Sequence, residues 1–159
     1  MTSRLTKSTG IYLITPETDD TDFLCGIIEK LLKQSVALLQ YRHKSSDTVL
    51  KHRQAEALLA IAHAADVPLI INDDWSLARA IDADGVHLGQ SDDDPVMVRR
   101  NLGENKLIGI SCYNEFNRAE NMAALDVDYL AFGAVFASPT KPLAGKAALS
   151  LFQKAKRLG

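Results

Sequence analysis

A repeated alternation of two hydrophobic patterns constrains this chain more than any single residue does. Short runs rich in Ile, Val and Leu occur at residues 10–15 (GIYLIT), 36–41 (VALLQY), 67–71 (VPLII), 85–88 (GVHL), 107–111 (LIGIS) and 128–133 (DYLAFG). Between them apolar residues recur at helical spacing: Phe23, Leu24, Ile27, Ile28, Leu31 and Leu32 in the first interval, Leu50, Ala57, Leu58 and Ile61 in the second. Further helices are predicted over 75–82, 95–102, 115–125 and 146–158. Asp94 followed by Pro95 reads as an N-cap and first helical residue, and Ser46 or Asp47 caps the second helix. Strands that are apolar throughout, rather than alternating, are buried on both faces. With intervening helices they form a parallel sheet joined by right-handed crossovers. The fold class is α/β.

No linker, low-complexity stretch or composition break divides the 159 residues, so the reading is a single domain over 1–159. With 47% apolar and 24% charged residues the composition is that of a soluble globular protein. The net charge of −2 offers no basic face for nucleic acid. Cys25 and Cys112 match no zinc spacing and read as free thiols in a reducing cytoplasm. Residues 1–10 lack an apolar signal region, and no run approaches the roughly 20 apolar residues of a membrane span.

A doubly wound sheet and a (βα)8 TIM barrel both fit the alternation, and the position of the polar residues decides between them. They follow many successive strands, as in a barrel whose rim collects residues from a ring of strand ends. The second strand ends in Gln40-Tyr41-Arg42-His43-Lys44, where a period of two puts Gln40, Arg42 and Lys44 on one face and Tyr41 and His43 on the other. Arg42 could grip phosphate oxygens with paired hydrogen bonds and Lys44 could act as a point charge. A solvated strand end explains the string equally well. The third strand ends in Asn72-Asp73-Asp74, and Asp92 follows the fourth. Two carboxylates at neighbouring strand ends suit magnesium, which takes one or two carboxylates and completes its shell with water and phosphate. The commoner fate of such aspartates, Asp73 and Asp92 to Asp94, is to cap the next helix. His87 reads as a packed, hydrogen-bonded histidine, Cys112 as a small buried residue, and Trp75 and Tyr113 as packing. After the fifth strand stands Ser111, and after the sixth comes Gly133-Ala134-Val135-Phe136-Ala137-Ser138-Pro139-Thr140-Lys141, whose hydroxyls, backbone N–H groups and lysine could cradle an anion.

Taken in order, Gln40-Tyr41-Arg42-His43-Lys44, Ile71-Asn72-Asp73, Gly85-Val86-His87-Leu88-Gly89-Gln90-Ser91-Asp92, Gly109-Ile110-Ser111 and Phe132 to Lys141 resemble the thiamine phosphate synthase family over nearly the whole chain. The resemblance implies a TIM-barrel enzyme that transfers hydroxymethylpyrimidine from its diphosphate to thiazole phosphate, with Mg2+ as cofactor. It implies that Gln40, Arg42, Lys44 and Asn72 contact the pyrimidine diphosphate, that Asp73 and Asp92 bind the metal, and that Ser111 lies against substrate. Ser138, Thr140 and Lys141 would cradle the phosphates, with Arg42, Lys44 and Lys141 stabilising the departing pyrophosphate. A cover for the site is expected from the loop between Ala134 and Lys146. The resemblance also implies a homodimer.

Two departures from the family pattern matter. Related thiazole tautomerases carry a histidine just after the fifth strand, where this chain has Tyr113. The family also continues with two further βα units, whereas about six are present in this sequence. The expectation is therefore a barrel that does not close on its own, as a fragment or with its edge covered by another chain, and with weak or absent turnover. A catalytically impaired precursor-binding relative and a tautomerase are the rival readings.

Overall fold

A computed structural model describes residues 4–5, 9–136 and 146–158. Its elements alternate strictly: β1 (Ile11–Ile14), α1 (Thr21–Leu31), β2 (Val36–Tyr41), α2 (Thr48–Ala64), β3 (Leu69–Asn72), α3 (Trp75–Ala80), β4 (Gly85–Leu88), α4 (Pro95–Leu102), β5 (Leu107–Tyr113), α5 (Phe116–Ala123), β6 (Tyr129–Phe132) and α6 (Leu149–Ala155). The strands form one sheet in the order β1-β2-β3-β4-β5-β6, every pair parallel. The order never reverses, which excludes a doubly wound sheet with its switch point and gives the barrel-type arrangement of about six βα units.

Strand periodicity sorts the side chains into two layers. Leu39, Tyr41, Leu69, Ile71, Val86, Leu88, Ile108, Ile110 and Cys112 face the helices and pack with Leu24, Ile28, Leu58, Ala62, Ala78, Val98 and Ala119 in one continuous core. Each fully buried Leu, Ile or Val there contributes roughly 1.5–3 kcal/mol, so this layer carries most of the fold's stability. The opposite face holds a smaller cluster of Leu38, Ile70 and Leu107 with Tyr12 and Tyr129 packed against it. Gly109 belongs to this inner face because a Cβ there would lie 1.9 Å from Tyr129 Cζ. The missing side chain leaves the space that the tyrosine ring occupies.

Away from the strand C-termini, two aspartates fasten neighbouring strands by the same device. Asp84, just before β4, accepts the Leu69 N–H at 2.7 Å, and Asp128, just before β6, accepts the Ile108 N–H at 2.8 Å. Asp128 also receives Arg99 Nη2 at 2.8 Å and Arg4 Nη1 at 2.9 Å.

Several boundaries differ from the sequence expectation. The cap of α2 is Asp47, which accepts the Leu50 N–H, and not Ser46. β5 runs two residues past Ser111 to Tyr113, with its pairing to β6 irregular between them. α6 is shorter than the predicted 146–158. Among the described residues β1 and β6 pair on one side only, and Ile11 and Ile14 are half exposed. No helix is long and apolar enough to cross a membrane.

Candidate active site

The acids after β3 and β4 divide their work. Asp74 accepts the Leu77 N–H at 2.9 Å and caps α3, and Asp94 accepts the Val96 N–H at 2.7 Å and caps α4. Asp93 accepts the Trp75 Nε1–H at 2.6 Å, so Trp75 combines packing against the core with a polar anchor. With both helices capped by their neighbours, Asp73 and Asp92 are left to face each other. Asp92 Oδ2 accepts the Gly89 N–H at 2.6 Å, which holds it back over the end of β4. Asp73 has a left-handed backbone (φ 64°), and its N–H donates to His87 O at 2.8 Å.

Burial, then a hydrogen bond and charge repulsion from Asp92, push the Asp73 carboxyl up to about 6, against the opposing pull of the Asn72 side chain and the Arg42 charge. Residues from β2, β3 and β4 thus meet at one rim: Arg42, Asn72, Asp73 and Asp92. Two carboxylates held this close repel each other, and a divalent ion bound between them would relieve that repulsion. Hard oxygen donors fit magnesium better than a soft metal. Among the described residues no group of three or more His, Cys, Asp or Glu forms a closed metal cage. A magnesium ion there would draw its remaining ligands from water and a phosphate.

Arg42 is braced by its backbone. Its N–H donates to Thr15 Oγ1 at 3.0 Å, and its guanidinium lies 3.9 Å from Glu17 Oε2. Lys44 is exposed, and its N–H donates to the other Glu17 oxygen at 2.7 Å. Tyr41 turns the other way, donating its hydroxyl to Gln54 of α2 at 2.9 Å, and β2 ends there, so Arg42 to Lys44 lie beyond the strand whose period the sequence reading used. Ser138, Thr140 and Lys141, with most of the expected covering loop, lie outside the described residues.

Beneath the rim, Gln40 and Ser111 are joined by three residues to which sequence reasoning gave no part in the site. Gln40, 3% exposed, donates from Nε2 to Tyr12 OH at 2.7 Å. Tyr12 OH lies 2.6 Å from Tyr129 OH, which lies 3.2 Å from His87 Nδ1, and His87 Nε2 lies 2.8 Å from Ser111 Oγ. Burial lowers His87 to about 4 and raises Tyr12 to about 12, so both are neutral near pH 7. His87 is the packed, hydrogen-bonded histidine the sequence implied. The tyrosines could have been found by parity, since each occupies an inward position of its strand.

Tyr113 does not pack as expected. It is 38% exposed, has φ 54°, and its OH accepts the Gln90 N–H at 3.3 Å, steadying the loop that carries Asp92. Arg118 of α5 was not singled out by sequence either. It donates to Ser111 O at 2.8 Å and Gly89 O at 3.1 Å, tying the ends of β5 and β4 together. Cys112 is fully buried, as expected.

Comparison with known proteins places the chain in a family. The family described as thiamine monophosphate synthase matches residues 11–158. The chain is 48% identical over 152 residues to the thiamine-phosphate synthase of Aromatoleum aromaticum, covering 96% of this chain and 73% of that protein. It is 49% identical over 150 residues to that of Methylobacillus flagellatus, covering 94% and 72%. A solved structure, thiamine phosphate pyrophosphorylase from Pyrococcus furiosus, superposes with a TM-score of 0.78 at 25% identity, covering 96% of this chain and 70% of that one. A match of this extent, on a sheet of the same architecture, means that the chain belongs to the thiamine monophosphate synthase family.

Proposed function

We propose that this protein is a transferase that moves the hydroxymethylpyrimidine group from its diphosphate to thiazole phosphate, forming thiamine phosphate and pyrophosphate. The observation that carries the reading is the meeting of Asp73, Asp92, Asn72 and Arg42 at the C-terminal ends of adjacent parallel strands. Asp73 and Asp92 would hold a magnesium ion, which when bound supplies positive charge next to a diphosphate. Arg42, with Lys44 and Lys141, would stabilise the negative charge that grows on the leaving pyrophosphate. Once the carbon–oxygen bond breaks, the pyrimidine methyl cation takes its new bond from the lone pair of the thiazole nitrogen. Neither step needs a general base, and His87 is buried beneath the rim. Gln40, Asn72 and Ser111 would orient the pyrimidine, and Ser138, Thr140 and Lys141 the phosphates. A cytoplasmic homodimer is the assembly we propose.

The test is release of pyrophosphate and formation of thiamine phosphate from the two substrates with magnesium. Substituting Asp73→Asn should lower magnesium-dependent release at least about 100-fold, by loss of an electrostatic group acting on the transition state. Absence of product, together with no magnesium-dependent binding of the pyrimidine diphosphate, overturns the assignment.

A further inference from the structure

The five-residue chain beneath the rim crosses the sheet from β2 to β5 by way of β1, β6 and β4, and its members differ in how many polar hydrogens they own. Tyr12, Tyr129 and Ser111 each carry one, and a neutral His87 carries one on either ring nitrogen. His87 faces two hydroxyls, Tyr129 OH at Nδ1 and Ser111 Oγ at Nε2, and packs between aromatic rings, with Tyr129 stacked at 5.7 Å and Tyr12 edge-on at 6.4 Å. In that setting burial, which disfavours an imidazolium, outweighs the opposing pull of the Asp92 charge. A chain of single-proton groups has two self-consistent states, with every bond pointing one way or every bond pointing the other. The terminal amide selects between them, because the Gln40 NH2 can only donate.

We propose that Gln40 sets this chain in one direction and so fixes Ser111 as a hydrogen-bond donor toward the rim. Gln40 Nε2 donates to Tyr12, leaving the Tyr12 proton for Tyr129. The Tyr129 proton then goes to His87 Nδ1. The imidazole therefore keeps its hydrogen on Nε2 and donates it to Ser111 Oγ. Among the described residues the Ser111 hydroxyl has no other partner, so its own proton is left to point at whatever binds above it. In the reverse state Ser111 would spend that proton on His87 and offer the rim only a lone pair. Tyr12, Tyr129 and His87 are thus positioning residues. This deepens the proposed transferase reading and rests on it for the identity of the group that Ser111 meets.

The test needs no substrate and is independent of turnover. In 15N-labelled protein at pH 7, two-bond proton–nitrogen correlation should show His87 as the Nε2–H tautomer. An Nδ1–H tautomer, an even mixture or an imidazolium overturns the proposal. Gln40→Glu replaces the obligate donor with a carboxylate acceptor of the same shape and should reverse the chain, moving the His87 hydrogen to Nδ1 although the two side chains do not touch. An unchanged tautomer in a folded Gln40→Glu protein overturns it equally. If that variant does not fold, the tautomer of the unaltered protein decides alone.

Discussion

Asp73 and Asp74 are adjacent, chemically identical and opposite in their effect on the fold. Burial would raise the Asp74 carboxyl, but the Leu77 N–H, the Ser76 hydroxyl and Lys51 together hold it below its ordinary value, so its charge stabilises the native state. Asp73 is pushed up to about 6. Between roughly pH 4, its unfolded value, and pH 6 the folded chain binds the extra proton, so stability falls as pH rises through that window and stays lowered above it. The expected outcome is that Asp73→Asn raises the thermal midpoint of the metal-free protein at pH 8 and leaves it unchanged at pH 4. The carboxyl is substantially open to water, so screening limits the gain to about 1 kcal/mol. Asp74→Ala should instead lower stability by about 1 kcal/mol at pH 8, the usual worth of an N-cap. Calorimetry of both variants at the two pH values checks the pair. Read from the residues alone, Asp73 could bind a metal or cap the next helix and Asp74 is given neither part, because consecutive carboxylates after a strand look alike; the cap is Asp74. Only the left-handed turn at Asp73 separates them, and that is a property of the backbone path.

Among the elements, the strands were the most legible because a strand buried on both faces declares itself by an unbroken apolar run. What such a run conceals is which residues point inward. Tyr12 and Tyr129 went unassigned for that reason, although the inward Gln40 and Ser111 were recognised by their chemistry. The strand glycines hold the missing clue. Gly109 stands opposite Tyr129 in the parallel register, and its absent side chain admits the ring that carries the hydroxyl chain. In Gly109→Ala the new methyl would overlap Tyr129 Cζ, and with strand backbone on both sides only the ring can yield. Overpacking of this kind should cost about 1–3 kcal/mol, read as a lower urea midpoint with an unchanged slope. The paired aspartates were legible and missed. Asp82-Ala83-Asp84 and Asp126-Val127-Asp128 repeat the same spacing before β4 and β6, and in both the second aspartate takes the backbone N–H of the preceding strand.

The second of these aspartates extends from a local clasp to a tie across the whole molecule. Asp128 gathers Arg4 from the N-terminal segment, Arg99 from α4 and the Ile108 N–H of β5 onto one carboxylate whose side chain is 4% exposed. Arg99 is itself buried and donates to the carbonyls of Asp126 and Gly103 as well. Those carbonyls satisfy its hydrogens but not its charge. Asp128→Ala would leave the buried Arg99 guanidinium with only the half-exposed Asp126 as counter-charge and a strand N–H without its acceptor, a loss of about 3 kcal/mol. Asp126 also pairs with Arg4 and Arg99, at 3.1 and 3.2 Å, but its side chain is 45% exposed, and Asp126→Ala should cost at most about 1 kcal/mol. Urea unfolding of the two variants side by side separates a buried charge tie from a surface one. Raising the salt concentration should shrink the Asp126 effect and leave the Asp128 effect nearly intact, since ions screen only the pair that water reaches. Equal losses in the two variants would mean that the N-terminal segment is held by summed surface charge, and that Asp128 does no more for the barrel than Asp84 does for its own pair of strands.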